Sequence, residues 1–188
     1  MDVDHVGMYV NGYWQRAGDD RPMAEVPGTA PTGAAATAHE ALAQRLGTEV
    51  HVSDWLLVTQ HRVDAFAGAT GDHQWIHVDP ERAARESPYK APIAHGYLTL
   101  SLHILLRDLV SADRPYAPGV VSVINYGLNK VRFPNAVRVG ARIRGRFTLV
   151  AVDVVAPNVL QVTEQYLVEI EGQPKPACIA ESLFRLAF

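Results

Sequence analysis

Between residues 95 and 110 the chain places Leu98, Leu100, Leu102, Ile104, Leu105, Leu106 and Leu109 on one helical span, apolar on nearly all sides. A helix without a polar face has to be enclosed. The rest of the chain supplies the enclosure. From Val120 the pattern becomes period-two or continuously β-branched over 120–125, 130–133, 141–155, 159–170 and 177–188, the signature of strands. Pro134-Asn135, Val139-Gly140, Pro157-Asn158 and Glu171-Gly172 supply turns between them. Long antiparallel strands after one buried helix predict an α+β fold, a sheet wrapped around a long central helix.

Shorter elements precede that helix. Thr59 can cap a helix in which Val63, Phe66, Ala67 and Thr70 share a face, and Gly71 ends it. Asp79-Pro80-Glu81 starts another, with proline at the first helical position, and Pro88 marks its end. Residues 72–78 are therefore expected as a loop held between two helices. Further upstream, Thr37, Glu40 and Gly47 predict a capped helix over 37–46. Val50 and Val52 begin an extended segment towards Val58. The small-residue tract 26–36 reads as a linker. Before it, Asn11-Gly12 flanked by Tyr9, Val10, Tyr13 and Trp14 is a hairpin signal, with a disordered tail as the alternative. The division expected is an N-terminal extension and linker over 1–36 and one domain over 37–188.

Composition excludes several classes. The 188 residues suffice for one sizeable core. With 48% hydrophobic residues, 20% charged and a net charge of -3, no basic excess exists to neutralise phosphates, so nucleic acid is not an expected partner. The apolar run at 96–106 is interrupted by Thr99, Ser101 and His103 and is short of the ~20 residues a membrane span needs, so no membrane partner is expected either. A single cysteine, Cys178, lies in an apolar run and reads as a buried structural thiol suited to a reducing cytoplasm. The first residues lack the basic-then-apolar order of a secretory signal, and a cytoplasmic location is the expectation.

The chemistry concentrates between Phe66 and Gly96. Asp72 follows the Gly71 helix stop, His77 lies five residues on, and His95-Gly96 opens the apolar helix. A carboxylate, an imidazole and a helix N-terminus are the parts needed to move protons beside a polarised carbonyl. The bland readings stand beside this one. Asp72 can satisfy loop amides, His77 can be a core histidine, His95 can cap the helix or hydrogen-bond a loop, and Ser101 can bond back to a carbonyl inside the helix. Lys130 and Arg132 fit a solvated strand face or the phosphates of a coenzyme. Asp72, His73, His77 and Asp79 invite a metal reading, but their spacing lacks the regularity of hydrolytic metal sites.

The segment from Phe66 to Ala83, an aromatic residue, small residues, Gly71-Asp72, a spacer, Ile76-His77 and then Ala83, closely resembles the hydratase motif of the MaoC-like, (R)-specific enoyl-CoA hydratases. The likeness continues through Pro92-Ile93-Ala94-His95-Gly96, Ser101 and the run from Tyr126 to Pro134, and is greatest to the nodulation-protein-N-like branch. The resemblance implies a hot-dog fold, an acyl-CoA (enoyl-CoA) thioester substrate with water as co-substrate, no cofactor and no metal. Asp72 and His77 match the family's catalytic pair, Gly96 the glycine whose N–H binds the thioester oxygen, and Ser101 a pocket serine. His95 and Gln74 join them as candidate substrate-binding residues. Where the family often has Asn-Pro, this chain has Gln74-Trp75, a longer amide and a large ring that reshape the pocket.

Adding water across an enoyl thioester removes a proton from water as its oxygen attacks C3 and delivers a proton to C2. Imidazole, with an ordinary pKa of ~6.5, and a carboxylate raised by burial from ~3.9 can share that work. Gly96 is expected to allow close approach because it has no side chain. Two other functions remain open, a hot-dog thioesterase in which Asp72 activates water against the carbonyl, and a non-catalytic acyl-binding or assembly subunit. A single wrapped sheet leaves an edge to cover, and related proteins pair, so a homodimer is expected.

Overall fold

The structure is a computed structural model that describes residues 8–10, 13–15, 30–109, 111 and 113–188. Strands β1 (Met8–Val10) and β2 (Tyr13–Gln15) pair antiparallel, as the Asn11-Gly12 signal predicts. Residues 26–29 of the expected linker and Val110 of the expected helix lie outside the described residues. Helix α1 spans Gly33–Ala43. It starts four residues ahead of the expected Thr37, because Ala35, inside the tract that reads as linker, is buried on the same helix as Ala38 and Leu42.

Next come β3 (Glu49–Val52), β4 (Leu56–Leu57) and helix α2 (Gln60–Thr70). The Thr59 hydroxyl accepts from the Arg62 N–H, and Gly71 closes α2 in the left-handed conformation at φ 78°, as their residue types predict. The expected loop at 72–78 contains a helical turn, α3 (Trp75–Val78), before α4 (Pro80–Glu86), which Asp79 caps through Arg82 N–H.

The apolar helix is divided into α5 (Gly96–Ser101) and α6 (His103–Arg107), with Asp108 left-handed at its end. It is not enclosed all round. Leu98, Leu100, Leu102 and Leu106 face the sheet, while Tyr97 is 70% and Leu105 is 53% exposed. The strands are β5 (Ser122–Arg132), β6 (Arg142–Ala156), β7 (Val159–Ile170) and β8 (Cys178–Ala187). Their order is β3-β6-β7-β8-β5 in a six-stranded sheet, with β4 also on β6 and every pairing antiparallel. The two segments expected before residue 134 form one strand, β5, whose register shifts between Asn125 and Gly127 and between Asn129 and Arg132.

Burial alternates along β7 and β8, so one face of the sheet is core. Phe147, Tyr166, Ile143, Val168 and Cys178 receive the α5 and α6 leucines, the sheet-around-helix arrangement of a hot-dog fold. Cys178 is buried, as its run predicts, and burial pushes its thiol up to about 12. A second cluster sits at the far end, where Ala38 and Leu42 of α1 cover Leu149, Leu160, Val162, Phe184 and Leu186.

Two polar residues interrupt the inner face. Glu164 and Ser182 stand opposite each other on β7 and β8, and His103 and Arg107, one helical turn apart, meet them from above. Arg107 donates to both Glu164 carboxylate oxygens at 2.9 to 3.1 Å, the Tyr116 hydroxyl donates to Oε1 at 2.8 Å, and Ser182 Oγ lies 3.0 Å from His103 Nε2. Glu164 has no exposed surface. Removing one member of such a pair leaves a buried charge unmatched. Glu164→Ala is expected to destabilise the fold by ~3–5 kcal/mol, and the double substitution Arg107→Met with Glu164→Leu to restore most of that; urea unfolding of the three proteins measures both.

Candidate active site

Three short elements bring the predicted residues together. Gly71 turns the chain out of α2 and leaves Asp72 in a tight loop, where its Oδ1 lies 3.4 Å from the Gln74 N–H. α3 then carries His77 inward, and its Nδ1 donates to the Ile93 carbonyl at 2.7 Å while Ile93 N–H donates back to Ile76 at 3.0 Å. His95, ahead of α5, donates from Nε2 to the Asp72 backbone carbonyl at 2.9 Å, with the carboxylate Oδ2 at 4.0 Å. The His77 and His95 rings stack at 3.8 Å, inclined 27°. Among the described residues, Asp72, His77 and His95 are the group of three that brings one ligand atom each within 4.8 Å of one another. His73 and Asp79, which the metal reading included, stay outside it; Asp79 is occupied as the α4 cap.

A carbonyl can only accept, so the Ile93 bond places the His77 proton on Nδ1 and leaves Nε2 as a bare lone pair. Burial holds His77 below its ordinary 6.5; the Ile93 hydrogen bond pulls it up, His95 pushes it down and Asp72 pulls it up. The imidazole is thus an acceptor near neutrality. Asp72 departs from expectation, because its side chain is 54% exposed, not buried.

Gly96 is the first residue of α5, and its N–H has no acceptor within the helix. Its missing side chain serves a neighbour: a Cβ there would lie 3.0 Å from the Phe133 ring, which fills the space reserved in the sequence reading for substrate. Gln74 is exposed at the start of α3. Ser101 does not join the cluster. Its hydroxyl donates to Tyr97 at 2.7 Å, and it lines a cleft of about 300 Å³ with Leu100, His103, Tyr126, Leu128 and Ser182. Lys130 pairs with Glu181, and Arg132 donates to its neighbour's carbonyl, on the solvated strand face.

The family description "MaoC like domain" matches residues 41–171. The chain belongs to the MaoC-like family. It is 50% identical over 144 residues to 3-hydroxyacyl-thioester dehydratase Z of Mycobacterium tuberculosis, covering 77% of this chain and 92% of that one. To nodulation protein N of Rhizobium leguminosarum bv. viciae it is 43% identical over 144 residues, covering 77% and 88%. An (R)-hydratase from A. caviae superposes with a TM-score of 0.54 at 24% identity, over 72% of this chain and 96% of that one, and shares the hot-dog fold. This MaoC-like chain therefore has a hydratase or dehydratase role. Among the described residues no helix is long and apolar enough to cross a membrane.

The sequence reading missed the polar floor of the cleft. His103 and Ser182 are buried there, 79 positions apart. A histidine and an arginine one turn apart on an apolar helix were the available signal. Burial, with the Arg107 charge added, pushes His103 down to about 4 from 6.5. An unfolded histidine takes up a proton near 6.5, so between those values the unfolded chain binds more protons than the folded one. Stability is expected to fall as pH drops from 6.5 towards 4, by up to ~3 kcal/mol from this group. His103→Asn flattens that part of the profile, read from urea midpoints across the range.

Proposed function

We propose that this protein is a hydro-lyase that adds water to trans-2-enoyl-CoA thioesters to give (R)-3-hydroxyacyl-CoA, or runs the dehydration. The observation that carries the reading is the convergence of Asp72, His77 and His95, one ligand atom of each within 4.8 Å of the others, with His95 immediately ahead of the first residue of α5. One water can hydrogen-bond at roughly 2.8 Å to each of two groups, which suits ligand atoms within 4.8 Å of one another. In the forward reaction one O–H bond of that water breaks, its proton passes to the pair, the oxygen bonds to C3, and a proton from the pair bonds to C2. Negative charge grows on the thioester oxygen meanwhile, and the Gly96 N–H is the donor assigned to it. Every atom and proton is supplied by water and these groups, so the scheme calls on no cofactor.

The names of the relatives support the substrate class, a 3-hydroxyacyl thioester for one and an (R)-hydratase for another. A homodimer is part of the proposal. Among the described residues β5 pairs only with β8, and it exposes Ile124, Tyr126 and Leu128, while Tyr97 of α5 and Leu105 of α6 are exposed as well. An unpaired edge beside an apolar face calls for cover, and a second copy covers both. Light scattering after size-exclusion chromatography is expected to give twice the chain mass, and Leu128→Asp to shift the protein towards the monomer.

The activity test follows trans-2-enoyl-CoA of several chain lengths with product stereochemistry and free thiol recorded together. Wild type is expected to form (R)-3-hydroxyacyl-CoA without releasing thiol, equally well after chelator treatment. Asp72→Asn is expected to lower kcat/KM by roughly 10²–10⁴-fold. Thiol release would make the protein a thioesterase, and binding without turnover would make it an acyl-binding subunit.

A further inference from the structure

We propose that His95 is a positioning residue that holds the acid–base pair together, tethering Asp72 by its edge and stacking on His77 by its face. Its catalytic consequence rests on the hydratase reading; its contacts do not. Asp72 is otherwise tied only within its own loop, to Thr70 and Gln74 at 3.4 to 3.5 Å. Among the described residues, the 2.9 Å bond from His95 Nε2 is the one that fastens Asp72 to another part of the fold. His77 is anchored independently, to Ile93. Without His95, a half-exposed carboxylate would sit on a loop with no fixed distance to its partner.

The ring is built in. His95 is 2% exposed, and it is sandwiched between His77 at 3.8 Å and Phe66 of α2 at 5.1 Å. The carbonyl it donates to fixes the Nε2–H tautomer. Among the described residues its buried Nδ1 has no hydrogen-bond partner. Two imidazoles in contact resist carrying positive charge together, so the stacking on His95 adds to burial in holding His77 below its ordinary value. The titratable groups facing His77 are Asp72, from the loop after α2, and His95, from ahead of α5; α2 itself presents Phe66 and the Gln60 amide, which donates to the His77 carbonyl. One side chain therefore bears on both the spacing of the pair and the protonation of its base.

Two substitutions separate these effects. His95→Phe keeps a ring in the sandwich but lacks the donor; His95→Gln restores a donor of similar reach without the ring. Neither carries charge. NMR titration of His77 in the full-length protein is expected to show its midpoint moving up in both variants, with the Phe variant excluding loosened packing as the cause. Turnover of enoyl-CoA is expected to lose roughly 10–100-fold in kcat for His95→Phe at little change in KM, and to recover to within a few-fold of wild type in His95→Gln. The acid limb of kcat/KM is expected to move with the His77 midpoint. An unchanged His77 midpoint in both variants, or equal losses of kcat at matched thermal stability, would reduce His95 to packing and overturn the proposal. If wild type does not turn over enoyl-CoA, the hydratase reading fails by itself, while the His77 titration still decides whether His95 acts on His77.

Discussion

A carboxylate with no exposed surface sits in the middle of the sheet, and the helix above it supplies the opposite charge. Apolar contacts are non-directional, and leucines on α5 and α6 would pack almost as well one notch along the sheet. The Arg107 fork and the Glu164 carboxylate meet in one register only, because bidentate geometry does not tolerate a slide. The Ser182–His103 contact one turn away repeats the constraint. Fixing the helix at its C-terminal end also fixes His95 and Gly96 at the other, and with them the distance to the Asp72 loop. The geometry of the site thus depends on a charge pair that takes no part in it.

Much of this architecture was legible where a residue type has one local job. Thr59, Gly71 and Asp79-Pro80 each act within a turn of themselves, and each acts as read. Alternation along β7 and β8 survives because one face is core throughout. What escaped depends on distant partners. The stretch 33–36 looks like a linker until it is seen to open α1, which packs on β6 and β7. β5 reads as two segments because its bulges interrupt the period of two. A helix apolar all round reads as enclosed, yet no pattern within it tells a face turned to its own sheet from one turned outward.

The site was legible for a related reason. Asp72, His77, His95 and Gly96 fall within 25 consecutive residues of short elements and tight turns, so proximity in sequence becomes proximity in space. Ser101 shows where that fails. Five residues beyond Gly96, an α-helix has turned by roughly 500°, which points the serine about 140° away from the glycine. It opens on the β5 side, over a different cleft. Nor does a sequence say how exposed a carboxylate will be, and Asp72 is open where a buried one was expected. The pairing of His95 with both partners is a property of ring faces, which spacing alone does not encode.

The position of β8 between β7 and β5 governs the order in which the molecule can be assembled. β5 precedes β6 and β7 in the chain but pairs with neither; its ladder is with β8. During synthesis β5 therefore emerges early and waits for its ladder partner until the strand at 178–187 has been made and inserted. Closure is a long-range event, slow by the logic of loop entropy. β8, made after β6 and β7 and inserted between β7 and β5, is what completes the sheet.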